Sequence, residues 1–261
     1  MTLYRTYRPK TFKEVIGRDS IKAILQKQLA SGTLSHAYLF SGVRGTGKTT
    51  LARLVAKAAN CSNRDTESGE PCNECASCVA INQGRAQDLI EIDAASNRRI
   101  EEVRELREMV KYAPATSPHK VYIIDEAHML TREAANALLK TLEEPPKHVI
   151  FILATTELEK IPDTIFSRCQ HFSFGLVPLA EIQERLRALL ALESVKMDDE
   201  VILDIARRSS GSLRDAESLL GQILSMGKKD ITREDASLFL PKVPFAETVN
   251  FLASLVNRDA P

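Results

Sequence analysis

Gly42-Val43-Arg44-Gly45-Thr46-Gly47-Lys48-Thr49 is the most informative segment of the chain. It fits the pattern G-x-x-x-x-G-K-[ST] in full. Before it runs the apolar segment Ala37 to Ser41, and after it Leu51, Leu54, Val55 and Ala58 recur at helical spacing. The reading is strand, glycine-rich turn, helix. Glycines let backbone N–H groups turn inward around phosphate oxygens, and the positive end of the helix dipole adds to their pull. In that geometry Lys48 reaches the β- and γ-phosphates, the Thr49 hydroxyl holds Mg²⁺, and Thr50 completes the nucleotide-binding run. The cofactors implied are ATP and Mg²⁺.

Such a loop needs a second acidic element. Val121-Tyr122-Ile123-Ile124-Asp125-Glu126 supplies it, as an apolar strand carrying two carboxylates at its C-terminal end. Ligands bind at that end in open α/β sheets. Asp125 is expected in the Mg²⁺ shell and Glu126 as the group that polarises the attacking water. Asp125-Glu126-Ala127-His128 also matches the short box of one helicase class. A helicase of that kind needs a second motor domain, and no second strand series follows Pro178. A small-molecule kinase would need an acceptor pocket, for which no candidate residues stand out.

Further along, Leu89 to Asp93, Val149 to Ala154 and a short segment at Phe172 and Phe174 read as strands. Between them run helical stripes, Ile100, Val103, Leu106, Val110 and then Ala134, Ala135, Leu138, Leu139, Leu142, closed by Pro145-Pro146. Alternation of this kind predicts an α/β fold, a mostly parallel sheet with helices on both faces. From Leu179 to Leu240 only helical periodicity remains, as in Leu186, Leu189, Leu190 and Leu219, Leu220, Ile223. The expected organisation is a nucleotide-binding domain at 1–178 with a cysteine insertion at 61–78, a helical lid at 179–240, and the start of a further domain at 241–261.

The 261 residues are 44% hydrophobic and 27% charged, which excludes a disordered chain. Lys plus Arg and Asp plus Glu number 35 each, so any DNA contact must be a local patch or a surface shared among subunits. No signal peptide or run of membrane-spanning length is present, and a cytoplasmic protein is expected. Structural disulfides are rare in that compartment. Cys61, Cys72, Cys75 and Cys78 therefore read as a metal site, spaced x₁₀, x₂, x₂. Four thiolates suit tetrahedral zinc. The Cys-x₂-Cys-x₂-Cys run also suits an iron–sulfur cluster, whose ligands continue downstream to Cys-Pro. Here the fourth thiol lies upstream and no proline follows, which favours zinc. Because the glycine loop belongs to the main sheet, replacing Cys75 by Ser is expected to loosen the 61–78 loop while leaving nucleotide binding largely intact. Cys169 stands apart as a packing thiol.

Beyond these elements, Tyr7-Arg8-Pro9 with Phe12, Val15, Ile16 and Gly17, then His36 to Gly42, Leu138 to Pro145, Ala154-Thr155-Thr156, Ser167-Arg168-Cys169 and Gly211 to Ala216 occur in a fixed order. In that order they resemble the AAA+ clamp-loader ATPases. The cysteine insertion and Val43-Arg44 point to the bacterial DNA polymerase III gamma/tau branch, and the intact loop separates it from the sister delta-prime branch. The resemblance covers the whole chain.

It implies that Tyr7, Arg8, Pro9, Val15 and Ile16 wrap the adenine, that Thr155 senses the γ-phosphate and that Arg214 contacts nucleotide from the lid. Arg168 would be a finger aimed at a neighbour's ATP, and the four cysteines would hold a structural zinc. Arg99 and Arg104 resemble residues that track template phosphates, although beside Glu101, Glu102 and Glu105 they also read as a solvated helix face. The partners implied are further gamma/tau copies, delta, delta-prime, the sliding clamp and primed DNA. The activity implied is that of an ATPase subunit of the polymerase holoenzyme with no polymerase site of its own. A scaffold that turns over ATP only inside the complex is the alternative. The family's collar domain follows the lid, so a chain cut short there is expected.

Overall fold

The computed structural model describes residues 2–96, 108–240 and 253–254. Arg99, Arg104 and the expected start of a further domain at 241–261, apart from 253–254, lie outside the described residues. The chain opens with α1 (Leu3–Thr6) and α2 (Asp19–Ser31), then β1 (Ala37–Gly42), α3 (Lys48–Ala59) and α4 (Ala76–Asn82). β2 (Leu89–Asp93), β3 (Lys120–Asp125), α5 (Arg132–Glu143), β4 (Val149–Thr155), α6 (Asp163–Phe166) and β5 (Gln170–Phe174) complete the first unit. Its five strands form one parallel sheet in the order β2-β3-β4-β1-β5.

Strand side chains alternate between faces, and here both faces are buried. Tyr38, Phe40, Val121, Ile123, Ile150 and Ile152 pack with α2 and α3 on one side. Leu39, Tyr122, Ile124, Phe151 and Leu153 pack with α5 on the other. Phe40, fully buried, lies 5.2 Å from Phe174 and 5.9 Å from Phe172 between ring centroids. Truncating such a ring costs about 3–5 kcal/mol.

The lid consists of α7 (Leu179–Glu193), α8 (Asp199–Arg208), α9 (Leu213–Leu224) and α10 (Arg233–Ala236), with a two-residue parallel ladder between β6 (Lys196–Met197) and β7 (Asp230–Ile231). Its core gathers Leu186, Leu189, Val201, Ile205, Leu220 and Ile223. Leu3 of α1 belongs to the same core, so the first helix, placed in the nucleotide-binding domain by sequence order, packs in space on the lid. Among the described residues no helix is long and apolar enough to cross a membrane.

In the order β3-β4-β1, the ends of β3 and β1 flank β4. This topology brings the glycine loop, Asp125 and Thr155 to one edge of the sheet.

Candidate functional site

Two glycines of the loop are there for want of room. A Cβ on Gly42 would collide with the Phe174 carbonyl of the neighbouring strand, and one on Gly45, at φ +77°, with the Ser212 hydroxyl of the lid. Gly45 in turn accepts a 3.0 Å hydrogen bond from the Leu213 amide, so the loop and α9 are joined directly. α5 and α9 begin with capping side chains, Thr131 and Ser212. α3 begins at Gly47 with none, leaving its first-turn amides to other acceptors.

Lys48 is 5% exposed, and its Nζ donates to the carbonyls of Gly42 at 2.6 Å and Val43 at 3.0 Å. Burial lowers its pKa, while the carboxylates of Glu126 and Asp125 oppose that shift. Thr49 Oγ1 donates to Asp125 Oδ2 at 2.8 Å. Hydroxyl and carboxylate thus offer two adjacent oxygens, the kind of donor Mg²⁺ takes. Glu126 sits at φ 50°, a left-handed conformation that costs a non-glycine residue about 1–3 kcal/mol. Its Oε2 accepts from Thr156 Oγ1 at 2.9 Å and lies 3.4 Å from His128 Nδ1.

These groups border a cavity of about 600 Å³ between the glycine loop, residues 4–16 and the lid. Of the residues read from the sequence, Arg8, Pro9, Val15, Ile16, Arg44 to Thr50, Asp125, Glu126 and Arg214 line it. Gly42, Val43, Tyr7, Thr155 and Arg168 do not. Tyr7 packs with the lid core instead, and one helical turn earlier Tyr4 takes the cavity position. The Arg214 guanidinium lies 4.8 Å from the Tyr4 ring centroid and donates to its hydroxyl at 3.4 Å, a bond that lowers the Tyr4 pKa. Thr155 is fully buried, with its hydroxyl 3.0 Å from His128 Nδ1 and 3.0 Å from the Glu157 amide. Thr156, one residue on and passed over in the sequence, is the threonine bonded to Glu126.

Sequence reading also missed Arg185 and Glu217. Both line the cavity, with Arg185 Nε donating to Glu217 Oε1 at 2.7 Å and Nη2 to the Tyr7 carbonyl at 2.6 Å. Burial raises the Glu217 pKa against the pull of Arg185. No spacing rule marks these two residues, because each sits on a lid helix whose other face is apolar. Arg168 lies beyond the cavity wall, where it donates to Glu143 Oε1 at 2.6 Å and to the Thr164 carbonyl at 2.7 Å.

The sulfurs of Cys61, Cys72, Cys75 and Cys78 all lie within 4.8 Å of one another. Tetrahedral Zn–S bonds of about 2.3 Å place sulfurs about 3.8 Å apart, so the set fits one zinc after slight contraction. Backbone amides already point at sulfur, from Cys72 to Cys61 and from Cys75 to Cys72, each at 3.3 Å. Burial acts against ionisation of Cys75, yet the amides of Cys78 and Ser62 bring its thiol down to about 6. Burial pushes the isolated Cys169 up to about 12, as befits a packing thiol. The insertion is hydrogen-bonded to the N-terminal segment. Glu70 accepts from the amides of Phe12 and Lys13, in the segment that forms the wall opposite the glycine loop.

Comparison with known proteins bears on this arrangement. The family model described as "DNA polymerase III, delta subunit" matches residues 17–177, and the clamp-loader "ATPase lid domain" model matches 181–229. A DNA polymerase III subunit gamma from Buchnera aphidicola is 43% identical over 98% of the chain and 69% of its own length. The tau subunit of Bacillus subtilis is 50% identical over 90% of the chain, but the match spans 42% of that protein. For the tau subunit of Escherichia coli the figures are 44%, 98% and 40%. The chain thus spans less than half the length of these two relatives. Among solved structures, the Holliday junction branch migration motor RuvB of Thermotoga maritima superposes with a TM-score of 0.63 at 20% identity, over 89% of this chain and 71% of that one. That likeness concerns the fold alone.

Proposed function

The chain belongs to the family of DNA polymerase III gamma and tau subunits, and from that premise we propose that it is an ATP-hydrolysing motor subunit of a bacterial clamp loader. The observation that carries this reading is the direct bond between Thr49 and Asp125 beside a buried Lys48. In it, residues 44–50 cradle the triphosphate, Lys48 contacts the β- and γ-phosphates, and Glu126 orients the attacking water. Thr49 and Asp125 would hold Mg²⁺, which neutralises charge on the phosphates.

The γ-phosphate sensor expected at Thr155 is better read as a pair, with Thr156 holding Glu126 and Thr155 fixing His128 behind it. Arg214 would bring the lid onto the nucleotide. Arg168, bonded to its own Glu143 away from its own cavity, suits a finger for a neighbour's γ-phosphate. That position also supports the scaffold reading in part: alone, the chain would bind ATP and turn it over slowly. The four cysteines would hold one structural zinc. The partners proposed are further copies of the subunit, delta, delta-prime, the sliding clamp and primed DNA, assembled in the cytoplasm. Arg99 and Arg104 are proposed to follow template phosphates. The chain would carry no polymerase site of its own.

Reconstitution with clamp, delta and delta-prime tests the reading. Co-purification and ATP hydrolysis stimulated by clamp and primed DNA are expected, and hydrolysis indifferent to both would contradict it.

A further inference from the structure

Two charged side chains tie the cysteine insertion to the wall of the cavity opposite the glycine loop. Glu70 lies within the insertion, between Cys61 and Cys72. Its Oε2 accepts from the Phe12 amide at 2.8 Å and its Oε1 from the Lys13 amide at 3.0 Å. Gln26 braces the same carboxylate at 3.4 Å while donating to the Ser68 carbonyl at 2.8 Å. From the other side comes Lys57 of α3, 2% exposed. Its Nζ donates to the Lys10 carbonyl at 2.6 Å, Asn73 Oδ1 at 2.7 Å and Asn82 Oδ1 at 3.0 Å.

An ammonium has three donors, and burying it requires an acceptor for each. Here one acceptor comes from the N-terminal segment, one from the insertion and one from Asn82 at the end of α4. Asn73, held in the left-handed region at φ 62°, stands between Cys72 and Cys75, so its position depends on the cysteine cluster. Residues 10–13 are thereby held at one end by Glu70 of the insertion and at the other by Lys57 of α3, which Asn73 of the insertion in turn engages, and Phe12 is buried in the sheet core. Directly before the grip, Arg8 and Pro9 line the cavity, and directly after it Glu14, Val15 and Ile16 do so.

We propose that the cysteine insertion sets the affinity of the site for nucleotide, with Glu70 and Lys57 as positioning residues for the wall that meets the nucleoside end. The proposal rests on the nucleotide reading given above. Hydrogen bonds to an ionised carboxylate are stronger than neutral ones, and Glu70 makes two to consecutive amides. Their loss frees the segment that shapes this wall. The effect is selective, because the phosphates are cradled by residues 44–50 on the other wall.

The test is equilibrium titration of the full chain with Mg-ATP and, separately, with Mg-tripolyphosphate, alongside amide hydrogen exchange. Glu70→Ala is expected to weaken ATP binding about tenfold, the scale of a lost bond to a charged group. It should leave tripolyphosphate binding unchanged and speed exchange at Phe12 and Lys13. Glu70→Gln, which keeps one acceptor oxygen, should fall between. Chelating metal from the wild-type chain should give the same selective loss, and this arm holds even if Glu70→Ala does not fold. Unchanged ATP affinity despite faster exchange would overturn the proposal. So would an equal loss for both ligands, which would make the insertion a general support of the domain. A wild-type chain that binds ATP no better than tripolyphosphate would instead overturn the nucleotide reading, and this proposal with it.

Discussion

One wall of the cavity is built by residues 44–50 and the strand ends at Asp93 and Asp125, whereas a second is assembled from residues 4–16, the lid and, behind them, the cysteine insertion. The first wall works through backbone geometry. Gly42 and Gly45 are dictated by close approach to Phe174 and Ser212, and Thr49 bonds Asp125 directly. The second works through side chains far apart in sequence, such as Arg185 on the Tyr7 carbonyl and Arg214 over Tyr4. On the proposed reading, chemistry would depend on the first wall and recognition of the nucleoside on the second.

The largest effect expected separates both walls from a third participant. Arginine fingers contribute about 10³–10⁵ in rate. In the assembled complex, Arg168→Ala should lower the neighbour's turnover on that scale while its own chain still binds ATP. Mixing Arg168→Ala chains with chains lacking a working glycine loop checks this, since hydrolysis should return only where a normal Arg168 faces an intact site. A dilute monomer that already hydrolyses at the rate of the complex would withdraw that role.

Within the first wall, Lys48→Ala should weaken Mg-ATP by about 10²-fold or more, as expected when a charge-assisted phosphate contact is removed. Titration calorimetry measures it. A loss no greater than that of Glu70→Ala would erase the distinction between the walls.

The cysteine centre comes next. Metal analysis should find about one zinc per chain, the stoichiometry of a Cys₄ site. Visible charge-transfer absorption would point to iron and sulfide instead. Cys75→Ser should cost about 2 kcal/mol and lower the melting temperature by about 4–8 °C, in line with a domain of this size.

The smallest effect concerns Glu217. Burial holds its folded pKa above the ordinary 4.5. In the pH window just above that value the folded chain binds more protons than the unfolded one, so this group's contribution makes stability fall as pH rises. Glu217→Gln removes the titration, and melting curves recorded across that window should show a shallower slope. An unchanged slope would place the pH dependence elsewhere.

Much of the first wall was legible in the sequence. β2 has the bounds read from Leu89 to Asp93, and β1, β3 and β4 differ by one residue, because buried parallel strands are continuous apolar runs bounded by turns. The second wall was not. Tyr4 and Tyr7 differ by one helical turn, and which of them enters the lid core depends on how α1 docks, a tertiary matter. Thr155 and Thr156 are adjacent, and side-chain alternation at the end of β4 decides that the second one meets Glu126. The two-residue ladder of β6 and β7 is too short to leave any period. Glu70 and Lys57 carry no motif at all, and only the folded chain brings them to residues 10–13.

Glu126 follows the end of β3 beside Asp125 and is held by Thr156. The decisive measurement is Mg-ATP binding and turnover by Glu126→Gln within the reconstituted clamp-loader complex, at saturating ATP. Removing only the carboxylate that orients water should leave affinity as in the wild type and reduce turnover by about 10²–10⁴-fold, the range for a general base. Turnover equal to wild type would contradict the assignment of this site as the seat of hydrolysis.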